Sequence, residues 1–230
     1  MRKLLLLIFI FLYACTNQNE KSGGRENSDQ VFDTTYRSTI DSTLDTNKWV
    51  AGNIMDWGAY LRANGGFSVD SFKLSELWVE DEMVSEPYVP SSEFFELYNP
   101  FLKYSQDSSY IVDLDSYNVH LKKEKDGKIV GYEEGPDCQI YLIDREKGIR
   151  ERLLFFGPGT YVHEALWQDN ETVILFGITE FNEFNAPNPV VWKINVEENL
   201  YEKYDYIHRI NVDNWKDYSE RVRFKDIRLK

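Results

Sequence analysis

Two stretches in the second half of the chain share one pattern of apolar and polar positions. "IYLIDREKGIRERL" (140–153) and "VWKINVEENLYEKY" (191–204) align without a gap at an offset of 51. Tyr141 meets Trp192, Ile143 meets Ile194, Asp144 meets Asn195 and Gly148 meets Asn199. Each passes from an extended apolar run through a polar turn with Gly or Asn into a second run, which predicts strand–turn–strand. Upstream, "SQDSSYIV" (105–112) and "WQDNETVI" (167–174) align at an offset of 62, each a Gln-Asp turn feeding a β-rich strand. The order in both copies is turn, strand, insert, hairpin, over about 101–156 and about 164–207. The inserts, 116–137 and 179–189, read as loops, and the longer first one accounts for the two offsets.

Residues 31–100 follow other periods. Ile54, Trp57 and Leu61 share a helical face that Asn64-Gly65-Gly66 brings to a stop. Phe32, Tyr36, Ile40 and Leu44 recur every four residues, a weaker helix because threonines stand between them. "GFSVDSF" and "LSELWVED" look extended, "SSEFFELYNP" predicts a short helix ended by Pro100, and "RVRFKDIRL" (221–229) reads as a charged terminal edge strand. The expected fold is mainly β with an α+β N-terminal part (31–100), followed by two strand-plus-hairpin repeats forming antiparallel sheets (101–230). A strand-plus-hairpin unit of this length resembles a β-propeller blade. Two blades are too few to close a propeller, so two related meander layers are the competing arrangement.

The longest apolar run stands elsewhere. Leu4 to Ala14 spans 11 residues after Arg2 and Lys3. A membrane span needs about 20 apolar residues; a charged start, a short apolar run and a small residue before a cut site predict an export signal over 1–14. Leu12-Tyr13-Ala14-Cys15 resembles the lipobox of bacterial lipoproteins, although Tyr13 stands where a smaller residue is usual. The resemblance implies a diacylglycerol on Cys15, further acylation such as palmitate, and a place in the cell envelope. The outer membrane is favoured, with the domain facing periplasm or cell surface. Residues 16–30 contain no apolar side chain, so 15–30 reads as a lipidated cysteine with a flexible tether.

Charge narrows the partners. The formal charge of −13 becomes −15 when Arg2 and Lys3 leave with the signal. A chain this acidic repels phosphate backbones, so no nucleic-acid partner is expected. Anionic head groups are repelled too, which leaves the acyl chains as the membrane contact. Cys138 alternates with Ile140 and Leu142 and reads as a small buried residue.

The search for catalytic motifs finds no nucleophile elbow, no phosphate loop and no dinucleotide fingerprint. His120, His163 and His208 are more than 40 residues apart, too far for a local zinc pair. "DLDSYN" (113–118) opens like a calcium loop but lacks its glycine and closing glutamate. No catalytic residue, metal or cofactor is assigned. Equivalent inserts in stacked repeats emerge on one face, often the binding face. The candidate ligand-binding residues are therefore Tyr117, His120, Tyr132 and Glu133 in the first insert, beside Glu134, and Phe181 and Phe184 in the second. Aromatics among acids and amides suit glycan or peptide contacts. The expectation is a non-catalytic binding or assembly module of the envelope. The alternative is a lipid-anchored, glycosidase-like hydrolase with two carboxylates about 5–10 Å apart.

Overall fold

In the computed structural model, which describes residues 55–65, 67–210 and 218–230, each sequence repeat folds into one antiparallel sheet. The elements in chain order begin with helix α1 (Met55–Gly65), β1 (Phe72–Val79), β2 (Ser85–Pro87), helix α2 (Ser92–Tyr98), β3 (Lys103–Tyr104) and β4 (Tyr110–Asp113). Then come β5 (Val119–Lys123), β6 (Ile129–Glu133), β7 (Cys138–Asp144), β8 (Ile149–Phe156), β9 (Thr160–Trp167) and β10 (Thr172–Thr179). The last are β11 (Asn188–Asn195), β12 (Leu200–Tyr206) and β13 (Arg228–Leu229). The first sheet has the order β2-β8-β7-β4-β3 and the second β1-β12-β11-β10-β9. Both are open. The signal segment 1–14, Cys15, the tether 15–30, the Phe32–Leu44 pattern and Ile54 lie outside the described residues.

The turns show why the two copies fold alike. Asp144 Oδ1 accepts the backbone N–H groups of Glu146 and Lys147, and Asn195 Oδ1 accepts those of Glu197 and Glu198. Each turn then closes through a left-handed residue, Gly148 at φ +66 and Asn199 at φ +49. These are the residue types that tolerate that backbone. The Gln-Asp turns repeat the device: Asp107 accepts from Ser109 N–H, and Asp169 from the N–H groups of Glu171 and Thr172. The likeness extends into the N-terminal part, which supplies the outer strand of each sheet. Tyr88 N–H donates to Gly148 O at 2.8 Å and Glu80 N–H to Asn199 O at 2.9 Å.

The sheets stack head to tail. Val112, Ile140 and Leu142 on the back of the first sheet pack against Val173, Trp192 and Ile194 on the front of the second. The back of the second sheet, with Ile174, Phe176 and Val191, is covered by Trp57 and Leu61 of α1. Equivalent residues thus face the same way: Val112 and Ile174, 62 apart, both point backwards, whereas Ile143 and Ile194, 51 apart, both point forwards. β10 is buried on both faces, and each fully buried Val, Ile or Leu contributes about 1.5–3 kcal/mol. Cys138 lies in the layer between the sheets, where burial pushes its thiol up to about 11.

The front of the first sheet has no second five-stranded repeat sheet before it; a small three-stranded sheet, β13-β6-β5, and helix α2 lie there instead. Ile111 and Ile143 are covered instead by Leu97 and Tyr98 of α2 and by Val119 and Leu121 of β5. Helix α2 starts at Ser91, whose Oγ accepts Phe94 N–H at 3.0 Å, and Pro100 follows its end as expected. The first insert corrects the loop reading: it holds the β5–β6 hairpin, which turns at Asp126-Gly127 with Gly127 at φ +85. The C-terminal segment is corrected as well. Only Arg228–Leu229 form a strand, parallel to β6, and Ser219–Arg223 form a π-helical turn. The cause is packing: Tyr218 belongs to the core behind the second sheet and Phe224 to the core before the first. Between them Arg223 is buried, pairs with Asp115 and donates to His163 O at 3.3 Å, joining the two sheets.

Candidate functional site

The cover over the front of the first sheet is incomplete, and the gap is a cleft of about 530 Å³. That volume falls in the range of small-ligand sites, about 300–1,000 Å³. Its rim is built where β4 ends. Asp113 is buried and accepts the N–H groups of Asp115 and Ser116 at 3.0 Å each, together with the Ser116 hydroxyl. This turn presents Tyr117. Burial raises the Asp113 pKa, opposed by the Ser116 bonds. Asn118 then ties the two ends of the insert together: its side chain donates to Asp137 O and accepts Gln139 N–H, and its carbonyl accepts Glu134 N–H. Asp113 and Asp115, which open the calcium-loop-like stretch, are thereby committed to a turn and to Arg223.

The floor is a stack of side chains. The Arg150 guanidinium lies 4.3 Å from the Tyr88 ring centre and 4.1 Å from that of Tyr141. Glu86, opposite Arg150 on β2, accepts from its Nε at 3.0 Å and from a terminal nitrogen. Burial works against the Arg150 charge, but the Glu86 bond and the facing rings outweigh it and raise the pKa. The arginine is therefore a fixed, internally neutralised wall. Tyr117 meets Tyr141 and Phe155 edge-on, each at 6.4 Å between ring centres. Tyr117 is 37% exposed and Phe155 45%, so aromatic surface remains open to solvent beside His120, Glu134 and Asp137. Neither carboxylate has an ion-pair partner among the described residues.

The first-insert candidates divide. Tyr117 and His120, with Glu134, line the cleft. Tyr132 faces His120 across the β5–β6 ladder, but its hydroxyl accepts from Lys230 Nζ at 3.3 Å. Glu133 is exposed and its N–H donates to Lys230 O, so both belong to the clasp that holds the C-terminus.

The second insert leaves the structure at the corresponding end but contributes nothing to the cleft lining. Its loop is organised by Asn182, whose side chain bonds Thr179 O and Ala186 O at 2.7 Å each and accepts Phe184 N–H. Phe184 is half-buried, while Phe181 is 69% exposed and lies beside Gly159.

Two further residues of the cleft, Tyr141 and Arg150, escaped the reading of inserts because they stand on strands. One signal was available: Arg150 occupies the repeat position of Tyr201, the only cation in that pair of positions. No protein-family model, no curated protein and no solved structure matches the chain.

Proposed function

We propose that the protein is a lipid-anchored binding module of a bacterial cell envelope, non-catalytic, which holds its ligand in the cleft before the first sheet. The cleft carries the binding part of this reading. Its volume and its open aromatic surface suit a small-ligand or glycan subsite, and its lining, with two carboxylates, is more polar than the mostly apolar walls such sites usually have. The anchoring part rests on Leu12-Tyr13-Ala14-Cys15. Among the described residues no helix is long and apolar enough to cross a membrane. Membrane attachment would then come from acyl chains on Cys15, at about 0.8 kcal/mol per buried methylene, with the outer membrane favoured.

The test is membrane fractionation of cells expressing the native chain or Cys15→Ala. Release of the variant into the soluble fraction is the expected result; unchanged membrane association would overturn the anchor. Protease shaving of intact cells then separates a surface-facing domain from a periplasmic one. A second reading, a carboxylate-dependent hydrolase, is favoured by one observation: Glu134 and Asp137 line the same cleft. It predicts that bound oligosaccharide is cleaved, and that Glu134→Gln or Asp137→Asn stops cleavage while binding persists.

A further inference from the structure

We infer that the ligand of this cleft is a neutral or amine-bearing saccharide, held by stacking on Tyr117 and by hydrogen bonds to Glu134, Asp137 and His120. This rests on the proposal that the cleft is the binding site, and it specifies what the cleft takes.

Three observations carry it. The first is the kind of apolar surface on offer. Few apolar side chains line the cleft; what is open is ring surface, chiefly that of Tyr117 at 37% exposure, which Phe155 supports edge-on from outside the lining. A peptide anchored by hydrophobic side chains needs apolar pockets. The C–H face of a pyranose needs only an open ring. Tyr141 is unsuited to that role because the Arg150 guanidinium lies over it at 4.1 Å.

The second observation concerns strand addition, the common way an extended peptide binds a sheet edge. β5 borders the cleft and, among the described residues, pairs with β6 alone. The outer backbone groups at its start are already taken: Val119 N–H donates to Asp115 O, Val119 O accepts from the Tyr98 hydroxyl at 2.9 Å, and Leu121 N–H donates to the Tyr98 hydroxyl oxygen at 3.0 Å. The phenol of Tyr98 thus interrupts, at Val119 and Leu121, the edge that an added strand would use.

Charge is the third. Arg150 is neutralised by Glu86, so the charges left facing the cleft are those of Glu134 and Asp137. Ionised carboxylates accept hydrogen bonds and donate none. The matching ligand presents donors, either hydroxyls or an ammonium, and an acidic saccharide is disfavoured by repulsion.

The experiment uses the full chain solubilised in detergent, with saturation-transfer NMR and calorimetric titration. The probes are cello-oligosaccharides and chito-oligosaccharides (neutral), chitosan oligomers (amine-bearing), oligogalacturonate (acidic) and a Lys/Arg-rich peptide. At least one neutral or amine-bearing probe is expected to bind, and oligogalacturonate at least tenfold more weakly. Tyr117→Ala is expected to weaken binding about tenfold, equivalent to roughly 1.4 kcal/mol. Phe181→Ala, outside the cleft, is expected to leave it unchanged, and an unchanged melting temperature in Tyr117→Ala would show that the fold is intact.

Preferential binding of oligogalacturonate, or saccharide binding indifferent to Tyr117→Ala, would overturn the inference. If the basic peptide binds through Tyr117 and no saccharide does, the saccharide assignment falls while the cleft stands as a binding site. If no probe of either kind binds, both fall.

Discussion

The front faces of the two sheets start from equivalent positions and end in different surroundings. In the second sheet Trp192 and Tyr201, with Trp78 stacked on Tyr201 at 5.0 Å, close against the back of the first sheet. In the first sheet the same three positions hold Tyr141, Arg150 and Glu86, with no five-stranded repeat sheet packed on that face. A cross-strand aromatic pair has become a cross-strand ion pair, and a tryptophan has become a tyrosine with a guanidinium over its ring. Helix α2 and the β5–β6 hairpin cover the apolar part of that face around Ile111 and Ile143. What they leave uncovered is the cleft. In a stack of repeats the terminal face is the one whose residues are released from packing against a neighbour, and here that face carries polar side chains.

The largest expected effect comes from unfastening the two sheets. Arg223 and Asp115 are both nearly excluded from solvent, and Arg223 also holds His163 O of β9. Arg223→Ala leaves a buried carboxylate without its partner and should cost about 3–5 kcal/mol in urea unfolding. Adding Asp115→Asn should recover part of that loss. Full additivity of the two substitutions would mean that the pair is not the clip described here.

Acid should lower the stability of the fold through His163. His163 is buried between α1 and the C-terminal segment, accepts Trp57 Nε1–H at Nδ1 over 3.3 Å and stacks on Tyr218 at 4.8 Å. Burial lowers its pKa to about 3, against roughly 6.5 when unfolded. The folded state therefore stays neutral where the unfolded state takes up a proton. This contribution to stability is intact above about pH 6.5 and is lost between there and about pH 3, by up to roughly 1.4 kcal/mol per pH unit. At pH 5 that is about 2 kcal/mol. Unfolding of the native chain and His163→Gln, each at pH 7 and pH 5, isolates it: the variant should lack this part of the acid sensitivity. Equal sensitivity in both would assign it elsewhere.

The smallest effect compares the two hairpin turns. Gly148→Ala places a Cβ at φ +66 and should cost about 1–2 kcal/mol. Asn199→Gly, at φ +49 in the equivalent turn, should cost less, because Gly and Asn both tolerate the left-handed backbone. Thermal unfolding of both would show whether the turns are interchangeable.

Local chemistry was legible in the residue order. Asp144 and Asn195 anchor the same turn, Asp107 and Asp169 another, and the helix around Trp57 and Leu61 ends at Gly65. These features depend on near neighbours, so spacing reveals them. The β5–β6 hairpin was also within reach, since Asp126-Gly127 is a hairpin-turn dipeptide, but the charged run around it reads as loop. The C-terminal segment misled for a similar reason: Arg223 resembles a solvated edge charge until Tyr218 and Phe224 are seen anchored in different cores. The cleft was legible only in part. Tyr117 and His120 stand on the insert that forms its rim. Tyr141 and Arg150 join it because the cover of α2 and the β5–β6 hairpin stops short of them, and strand periodicity does not say which part of a face a neighbour will cover.

The measurement closest to the central claim sets Tyr141→Ala beside Trp192→Ala, equivalent positions 51 residues apart, in urea unfolding of the full chain. Trp192 is buried between the sheets, so its loss should cost about 3–5 kcal/mol. Tyr141 floors an open cleft, and its loss should cost about 1 kcal/mol, chiefly the contact with Arg150. A Tyr141→Ala cost equal to that of Trp192→Ala would contradict the account, because the front of the first sheet would then be core like its counterpart.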